Sequence, residues 1–253
     1  MRKQIEQCAN RNRVRADMRK CVNMCLYRRA LTGVLAVLLA VGLSACGGKA
    51  EQGQETGLSQ EAETTQEKAS APVWKDMRPE RSMELSYAKQ FSVDYYDGGY
   101  DLIQVQDDST CLVVPEGAAV PEGLPASITV LQKPLDHVYL AATSAMDLIA
   151  ALDRTDRITL SGTKESGWYV EAAKEAMEEG TLAYAGKYSA PDYEQILSSG
   201  CDLALESTMI YHVPDVKAQL EQLKIPVFVE RSSYEEHPLG RMEWIRLYGV
   251  LFD

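Results

Sequence analysis

The sequence predicts an α/β fold in which helices flank a parallel sheet and a β-hairpin comes first. From residue 137 onward, short apolar runs alternate five times with amphipathic segments of helical period, a pattern typical of parallel strands covered on both faces. Upstream, Asp97-Gly98-Gly99 separates two strand-like runs, as in a tight hairpin turn. We therefore expect a Rossmann-like parallel sheet in one domain of residues 75–253.

Each element has its own local signal. The early strands are predicted at 91–96, 100–106, 111–114 and 128–131. The alternating strands are predicted at 137–142, 157–161, 181–186, 201–206 and 225–230. The helices are expected at 145–152, 169–179, 192–198, 214–223 and from 238 onward. Pro214 and Pro238 suit the first turn of a helix, and Ser144 and Ser189 have the spacing of helix N-caps.

Residues 1–45 have the layout of an export signal. A basic flank ending at Arg28 and Arg29 precedes an apolar run of roughly a dozen residues. That run is shorter than the about 20 residues of a comfortable membrane span. It closes on Leu43-Ser44-Ala45-Cys46, which resembles the lipobox of bacterial lipoproteins. The resemblance implies that the signal is removed and that Cys46 carries a diacylglyceryl group. The alternative is a plain signal anchor in which Cys46 is incidental.

The flanks of this signal carry two further predictions. Initiation at Met24 would leave a signal of ordinary size, so the first 23 residues are either an over-extended reading frame or a long cytoplasmic flank. Residues 47–72, which make up most of the segment 46–74, contain Gly, Glu, Gln, Ser and Thr and almost no large apolar side chains. Such a composition cannot bury enough surface to fold, so we expect a disordered tether.

Charge and cysteine usage narrow the class of partner. Residues 1–45 hold 9 of the 26 Lys and Arg and 2 of the 37 Asp and Glu, which leaves 17 basic and 35 acidic residues, a formal charge of −18. We therefore expect no nucleic acid partner, and contact with the membrane through the lipid anchor. Cys111 and Cys201 lack metal-site spacing and are either separate buried side chains or a single disulfide.

The loops that follow parallel strands gather at one edge of the sheet, where ligands bind. These loops are rich in hydroxyl, aromatic and basic side chains, although capping or solvation explains any one of them equally well. A metal chelate with an acidic periphery would meet Arg231 and Lys187, and aromatic rings would stack on its face. His212 is either a metal ligand or a plain hydrogen-bonding group. The candidate ligand-binding residues are Thr143, Ser144, Trp168, Tyr169, Lys187, Tyr188, Glu206, Tyr211, His212 and Arg231.

Four segments in the last third of the chain have an order and spacing that resemble a known family. They are YAGKYSAPDYEQIL (184–197), CDLALEST (201–208), LEQLKIPVFVE (220–230) and HPLGRMEWIRLYGVLF (237–252). Together they resemble the substrate-binding proteins of bacterial ABC importers for iron-siderophores, haem and cobalamin, over about residues 83–253. Cys201 replaces the usual Pro of a Pro-Asp-Leu strand, and Lys224 stands where Gly is usual.

The resemblance implies two α/β lobes that are joined by one long helix and clamp a ligand between them. It implies capture of a ferric siderophore, haem or corrinoid and delivery to an ABC permease and its ATPase. Acidic residues dock such proteins on the permease, and Asp215, Glu235 and Glu236 are the candidates. Because the chain stops at Asp253, where the interlobe helix begins in that family, we expect the N-terminal lobe only.

A missing second lobe would have two physical consequences. Met242, Ile245, Tyr248 and Phe252 lie near one face of the last predicted helix. That face would be exposed and would favour association. A single wall would also bind its ligand orders of magnitude more weakly than two walls closing over it.

Two other functions remain open at this point. One is an inert lipoprotein, the remnant of a decayed importer gene. The other is a surface enzyme, which is disfavoured because the sequence contains no G-x-S-x-G, no H-E-x-x-H and no paired Cys/His spacing, and residues 161–167 lack the ending of a phosphate loop. We expect a binding protein with no catalytic residues, no resident metal and no cofactor.

Overall fold

The computed structural model describes residues 71–106 and 109–253. The predicted leader, Cys46 and most of the predicted tether lie outside these residues. The last tether residues belong to the folded part. The amide of Trp74 donates to the carbonyl of Glu122 at 2.9 Å, and the amide of Glu122 donates to the carbonyl of Pro72 at 2.8 Å. The described domain therefore begins a few residues before position 75.

A five-stranded mixed sheet comes first. Its strands are β1 (Pro79–Ser82), β2 (Phe91–Tyr96), β3 (Asp101–Val105), β4 (Thr110–Val114) and β5 (Ile128–Gln132), in that spatial order. The first four are antiparallel neighbours and β5 runs parallel to β4. The hairpin prediction is confirmed, with Gly98 at φ 77° in the turn. Strand β1 was not predicted, because all four of its residues are exposed and show no apolar alternation.

A second sheet of five strands is parallel throughout. Its strands are β6 (Val138–Leu140), β7 (Ile158–Ser161), β8 (Ala183–Tyr184), β11 (Leu203–Ser207) and β12 (Val227–Glu230). The pair β9 (Gly186–Lys187) and β10 (Ala190–Pro191) lies between β8 and β11 in the chain. The spatial order is β12-β11-β6-β7-β8. The predicted Rossmann-like sheet is confirmed, and the strand order reverses between β6 and β11, where such sheets bind ligands.

Each parallel strand is followed by a helix, as predicted. The helices are α1 (Met146–Ala151), α2 (Glu171–Glu178), α3 (Tyr193–Ser198), α4 (Pro214–Gln222) and α5 (Pro238–Phe252). Pro214 and Pro238 occupy the first turn of α4 and α5. The two serine caps are wrong. Helix α1 has no side-chain cap, and Asp192 caps α3 by accepting from the amide of Gln195 at 3.0 Å.

The helices cover both faces of the parallel sheet. The larger apolar cluster joins Leu140, Leu205 and Phe228 on one face to α1, α5 and the mixed sheet. The smaller cluster lies on the other face, against α3 and α4. Because side chains alternate along a strand, neighbouring residues such as Ala204 and Leu205 enter different clusters.

Helix α5 packs into the larger cluster. Trp244, Leu247, Tyr248 and Leu251 are buried, at the i, i+3, i+4, i+7 spacing of one helical stripe. The expectation of an exposed apolar face is therefore wrong. Tyr248 and Phe252 are buried, Ile245 is half-buried, and Met242 faces solvent. The helix therefore packs on one face of the parallel sheet.

Two smaller observations complete the fold. Cys111 packs in the larger cluster and Cys201 beside the smaller one, and they form no disulfide, so the separate-residue alternative holds. Among the described residues, no helix combines the length and apolarity that crossing a bilayer requires.

Candidate functional site

The carboxyl ends of the five parallel strands meet at one edge, as the sequence predicted. We call this edge the rim and define it by the segments that follow each strand. They are residues 141–145, 162–170, 185–189, 207–213 and 231–236 together with Tyr184. Strands β6 and β11 lie at its centre, and β8 and β12 at its two ends.

Four tyrosines expose their rings along the rim. The exposed fraction is 93% for Tyr169, 51% for Tyr234, 42% for Tyr211 and 39% for Tyr184. Of these, Tyr169 and Tyr211 were predicted. Tyr184 was assigned to a strand interior, but it ends the two-residue edge strand β8 and faces solvent. Such rings offer flat apolar surface to a ligand at low entropic cost.

Cations accompany the tyrosines at both ends of the rim. The Lys164 ammonium lies 5.4 Å from the ring centre of Tyr184, and the Arg231 guanidinium lies 4.5 Å from that of Tyr234. Both distances suit a cation–π contact. The Arg231 Nε also donates to Gln90 Oε1 at 3.2 Å. The rim thus presents one cation–tyrosine pair near each of its ends. The strands at these ends, β8 and β12, lie four strand spacings apart, which is about 19 Å.

Two predicted residues, Ser144 and Thr143, lie at the centre of the rim and are exposed. The Ser144 hydroxyl donates to Glu230 Oε2 at 2.8 Å, and the amide of Ser232 donates to Glu230 Oε1 at 2.7 Å. Glu230 is almost completely buried. It therefore ties the segment after β6 to the segment after β12 across the intervening β11. In the sequence, Glu230 stood out only as the single acid at the end of the apolar run IPVFVE.

Trp168 does not serve as a stacking surface. It is buried, and its Nε1 donates to Ser161 Oγ at 3.2 Å. The same hydroxyl donates to the Thr163 carbonyl at 2.8 Å and accepts from the Thr163 amide at 3.0 Å. Trp168 anchors the loop that presents Tyr169, and its buried ring offers no surface to a ligand in this structure.

Glu206 is fully buried at the end of β11. Neither of its carboxyl oxygens has a hydrogen-bond partner among the described residues. Burial raises the pKa of Glu206 from 4.5 to about 8, because removal from water disfavours the charged form. The side chain is therefore a neutral acid at neutral pH and is enclosed in this structure, whereas the sequence predicted that it contacts a ligand.

The remaining predicted ligand residues are accessible. Lys187 and His212 are exposed, whereas Tyr188 and Arg231 are half-buried. Six of the ten candidates thus lie exposed on the rim, two are half-buried and two are buried. The rim also exposes Met209, which was not among the predicted residues.

The three docking candidates differ in accessibility. Asp215 and Glu236 are exposed. Glu235 is buried and accepts hydrogen bonds from the amides of Lys89 at 2.8 Å and Gln90 at 3.0 Å, and from Trp244 Nε1 at 2.9 Å. A buried carboxylate that accepts three hydrogen bonds has a structural role, so Glu235 is not accessible for docking on a permease.

Two open cavities lie away from the rim. One of about 460 Å³ includes Asp136 and Arg157, which precede β6 and β7 and so mark the opposite edge of the sheet. Another of about 340 Å³ lies against the mixed sheet, beside Phe91 and Val105. Neither of the two includes a rim residue. Within the described chain, no three His, Cys, Asp or Glu side chains are grouped closely enough to hold a metal ion.

Comparison with known proteins gave one relative by sequence. No protein-family model matches the chain. An uncharacterized lipoprotein of Methanocaldococcus jannaschii is 22% identical over 194 residues, which cover 67% of this chain and 46% of the relative. The chain therefore spans less than half the length of the curated relative it matches.

Among solved structures, the periplasmic haem-binding protein HutB of Vibrio cholerae matches with a TM-score of 0.36 and 17% identity. The match covers 46% of this chain and 42% of that one. A likeness this weak adds nothing to the architecture described above.

Proposed function

We propose that this chain is the lipid-anchored, extracytoplasmic substrate-binding component of an ABC importer, which captures a ferric siderophore, haem or corrinoid. The observation that carries the proposal is the rim itself. One edge of a parallel sheet offers four exposed tyrosines, with cations against two of them, at the place where α/β sheets bind ligands. The ordered motifs from residue 184 to 252 support the same class.

Anchoring and delivery belong to this proposal. A leader that ends on Cys46 and a relative that is a lipoprotein support attachment through lipid. A diacylated and N-acylated cysteine holds a protein stably at a membrane. Asp215 and Glu236, both exposed, are the acids proposed to meet the permease. In this proposal, a second lobe would supply the opposite wall of the ligand site.

Direct binding tests the proposal. The purified protein is dialysed against haemin, a ferric hydroxamate siderophore or cyanocobalamin, and bound ligand is read from its visible absorbance. We expect saturable binding of one of the three, with a Kd weaker than micromolar because one wall supplies only part of the contacts. No saturable binding of any of the three would refute the function, and micromolar or tighter binding would refute the need for a second wall.

A matched pair of arginine variants locates the site. Arg231 on the rim and Arg81 on β1 both lie over a tyrosine ring, at 4.5 Å and 3.7 Å. Arg231→Ala should weaken binding of an acidic chelate by about tenfold or more, the effect of losing one charge-assisted contact. Arg81→Ala should leave it unchanged. Equal effects of the two substitutions would place the ligand elsewhere.

A further inference from the structure

Glu206 lies at the end of β11, beside the point where the strand order reverses. Because side chains alternate along a strand, Glu206 lies on the same face as Ala204, which packs in the smaller apolar cluster. Its partner on β12 is Val229, which is in that cluster too. The carboxyl group therefore ends an apolar stretch of the sheet, and neither oxygen has a hydrogen-bond partner in the part of the chain that the structure describes.

The segment 207–213 continues from this strand and packs into the same cluster. Ile210 is fully buried there and Val213 packs against it. The turn Thr208–His212 is held by Ser207, whose hydroxyl accepts from the amide of Met209, and by the contact of Thr208 Oγ1 with the Tyr234 hydroxyl at 3.2 Å. The segment therefore packs against the face of the sheet on which the Glu206 side chain lies.

Within residues 71–106 and 109–253, no positive charge compensates a carboxylate at this position. The titratable groups that interact with Glu206 are Tyr139 on β6 and Tyr193 at the start of α3. Tyr184 on β8 and Cys201 before β11 act on Tyr139 in turn. The Tyr139 hydroxyl donates to the Gly186 carbonyl at 3.0 Å. An ionised Glu206 would need water, and displacement of the segment 207–213 from the smaller cluster is the route by which the latch proposed below admits it.

We propose that Glu206 is a protonation-controlled latch for the segment 207–213, which packs closed over the neutral acid and opens to hydrate the carboxylate. The exposed Met209 and Tyr211 lie on this segment, so opening displaces the centre of the rim. The latch is a property of the fold and holds whether or not the rim binds the proposed ligands.

The pH window follows from the two protonation equilibria. Burial raises the pKa of Glu206 to about 8 in the closed state, against an ordinary value of 4.5 when it is hydrated. Below about pH 4.5 both states hold the proton, so pH has no effect. Between these two values only the open state loses the proton, and opening becomes more favourable by tenfold per pH unit. Above about pH 8 both states are ionised and the effect levels off.

Hydrogen exchange of the purified protein, followed by mass spectrometry, tests the latch. Exchange is compared between pH 5 and pH 7 after correction for the pH dependence of the chemical exchange rate. Peptides covering 204–213 of the wild type should gain up to about a hundredfold in opening constant over these two units. Glu206→Gln has the same shape and cannot ionise, so its opening should not change with pH. Peptides covering 91–105 should show no such difference between the two proteins.

Three results would overturn the latch. One is an equal pH response of 204–213 in wild type and Glu206→Gln, and another is a response shared by all peptides, which would mean global unfolding. The third comes from the wild type alone, in case the variant fails to fold. The ¹³Cδ resonances of labelled glutamate should include one that titrates near pH 8, and a full set that titrates below pH 6 would refute the buried neutral acid.

Discussion

Replacing Glu235 by alanine removes one carboxylate that serves three donors. The amides of Lys89 and Gln90 and the Nε1 of Trp244 lose their acceptor. Each buried donor left unsatisfied costs about 1–3 kcal/mol. The two amides are only partly buried and recruit water more easily than the indole does, so we expect a total loss of about 3–5 kcal/mol. That is a large fraction of the stability of a typical domain.

The neighbouring acid supplies the control. Glu236 pairs with Lys89 at 3.4 Å, but their side chains are 81% and 72% exposed. Such surface pairs contribute little in water. We therefore expect Glu236→Ala to change the free energy of unfolding by less than about 0.5 kcal/mol.

Urea unfolding at pH 7, followed by far-UV circular dichroism, measures both variants. Glu235→Ala should lower the midpoint while the dependence on urea stays as in wild type, which shows that stability alone changed. If Glu235→Ala is so unstable that no folded baseline remains, Glu235→Gln retains one acceptor oxygen and should fall between the two. Equal stability of Glu235→Ala and Glu236→Ala would refute the structural role assigned to Glu235.

Two further predictions concern the backbone and the anchor. Gly186 has φ 81°, and a Cβ there would lie 2.4 Å from the carbonyl oxygen of Ala190, whereas Gly180 has φ 75° and a Cβ there would meet nothing within 4 Å. Gly186→Ala should therefore lower the thermal midpoint several degrees more than Gly180→Ala does. Equal shifts for the two variants would refute the close approach at Gly186. Cys46→Ser should abolish metabolic labelling with radioactive palmitate and release the protein from membranes, and labelling that survives the substitution would refute the lipobox prediction.

Local sequence pattern was sufficient for the order and type of the main elements. Five apolar runs alternate with helical segments, and this predicted the parallel strands and the helices that follow each of them. It failed for β1, whose exposed edge residues have no apolar pattern, and for the short pair β9–β10. In both cases the strand is defined by a backbone partner and not by its own side chains.

The sequence predicted the location of the candidate site more reliably than it predicted which residues are exposed there. Parallel strands share a direction, so the loops after them must meet at one edge, and the rim follows from the strand order alone. Which rim side chains face outward was a separate question. Tyr169 and Trp168 are adjacent in sequence, yet one is 93% exposed and the other is buried against Ser161.

The sequence by itself determined the fold class, the position of the rim and the acidic character of the domain, because periodicity, strand direction and charge are properties of local segments. Only the tertiary structure decided that Glu206 is enclosed, that Glu235 serves the amides of Lys89 and Gln90, and that α5 buries Trp244 in place of Met242. Burial and hydrogen bonding in these cases come from groups more than a hundred residues away or on another element. A local pattern carries no information about which distant groups will contact a given side chain.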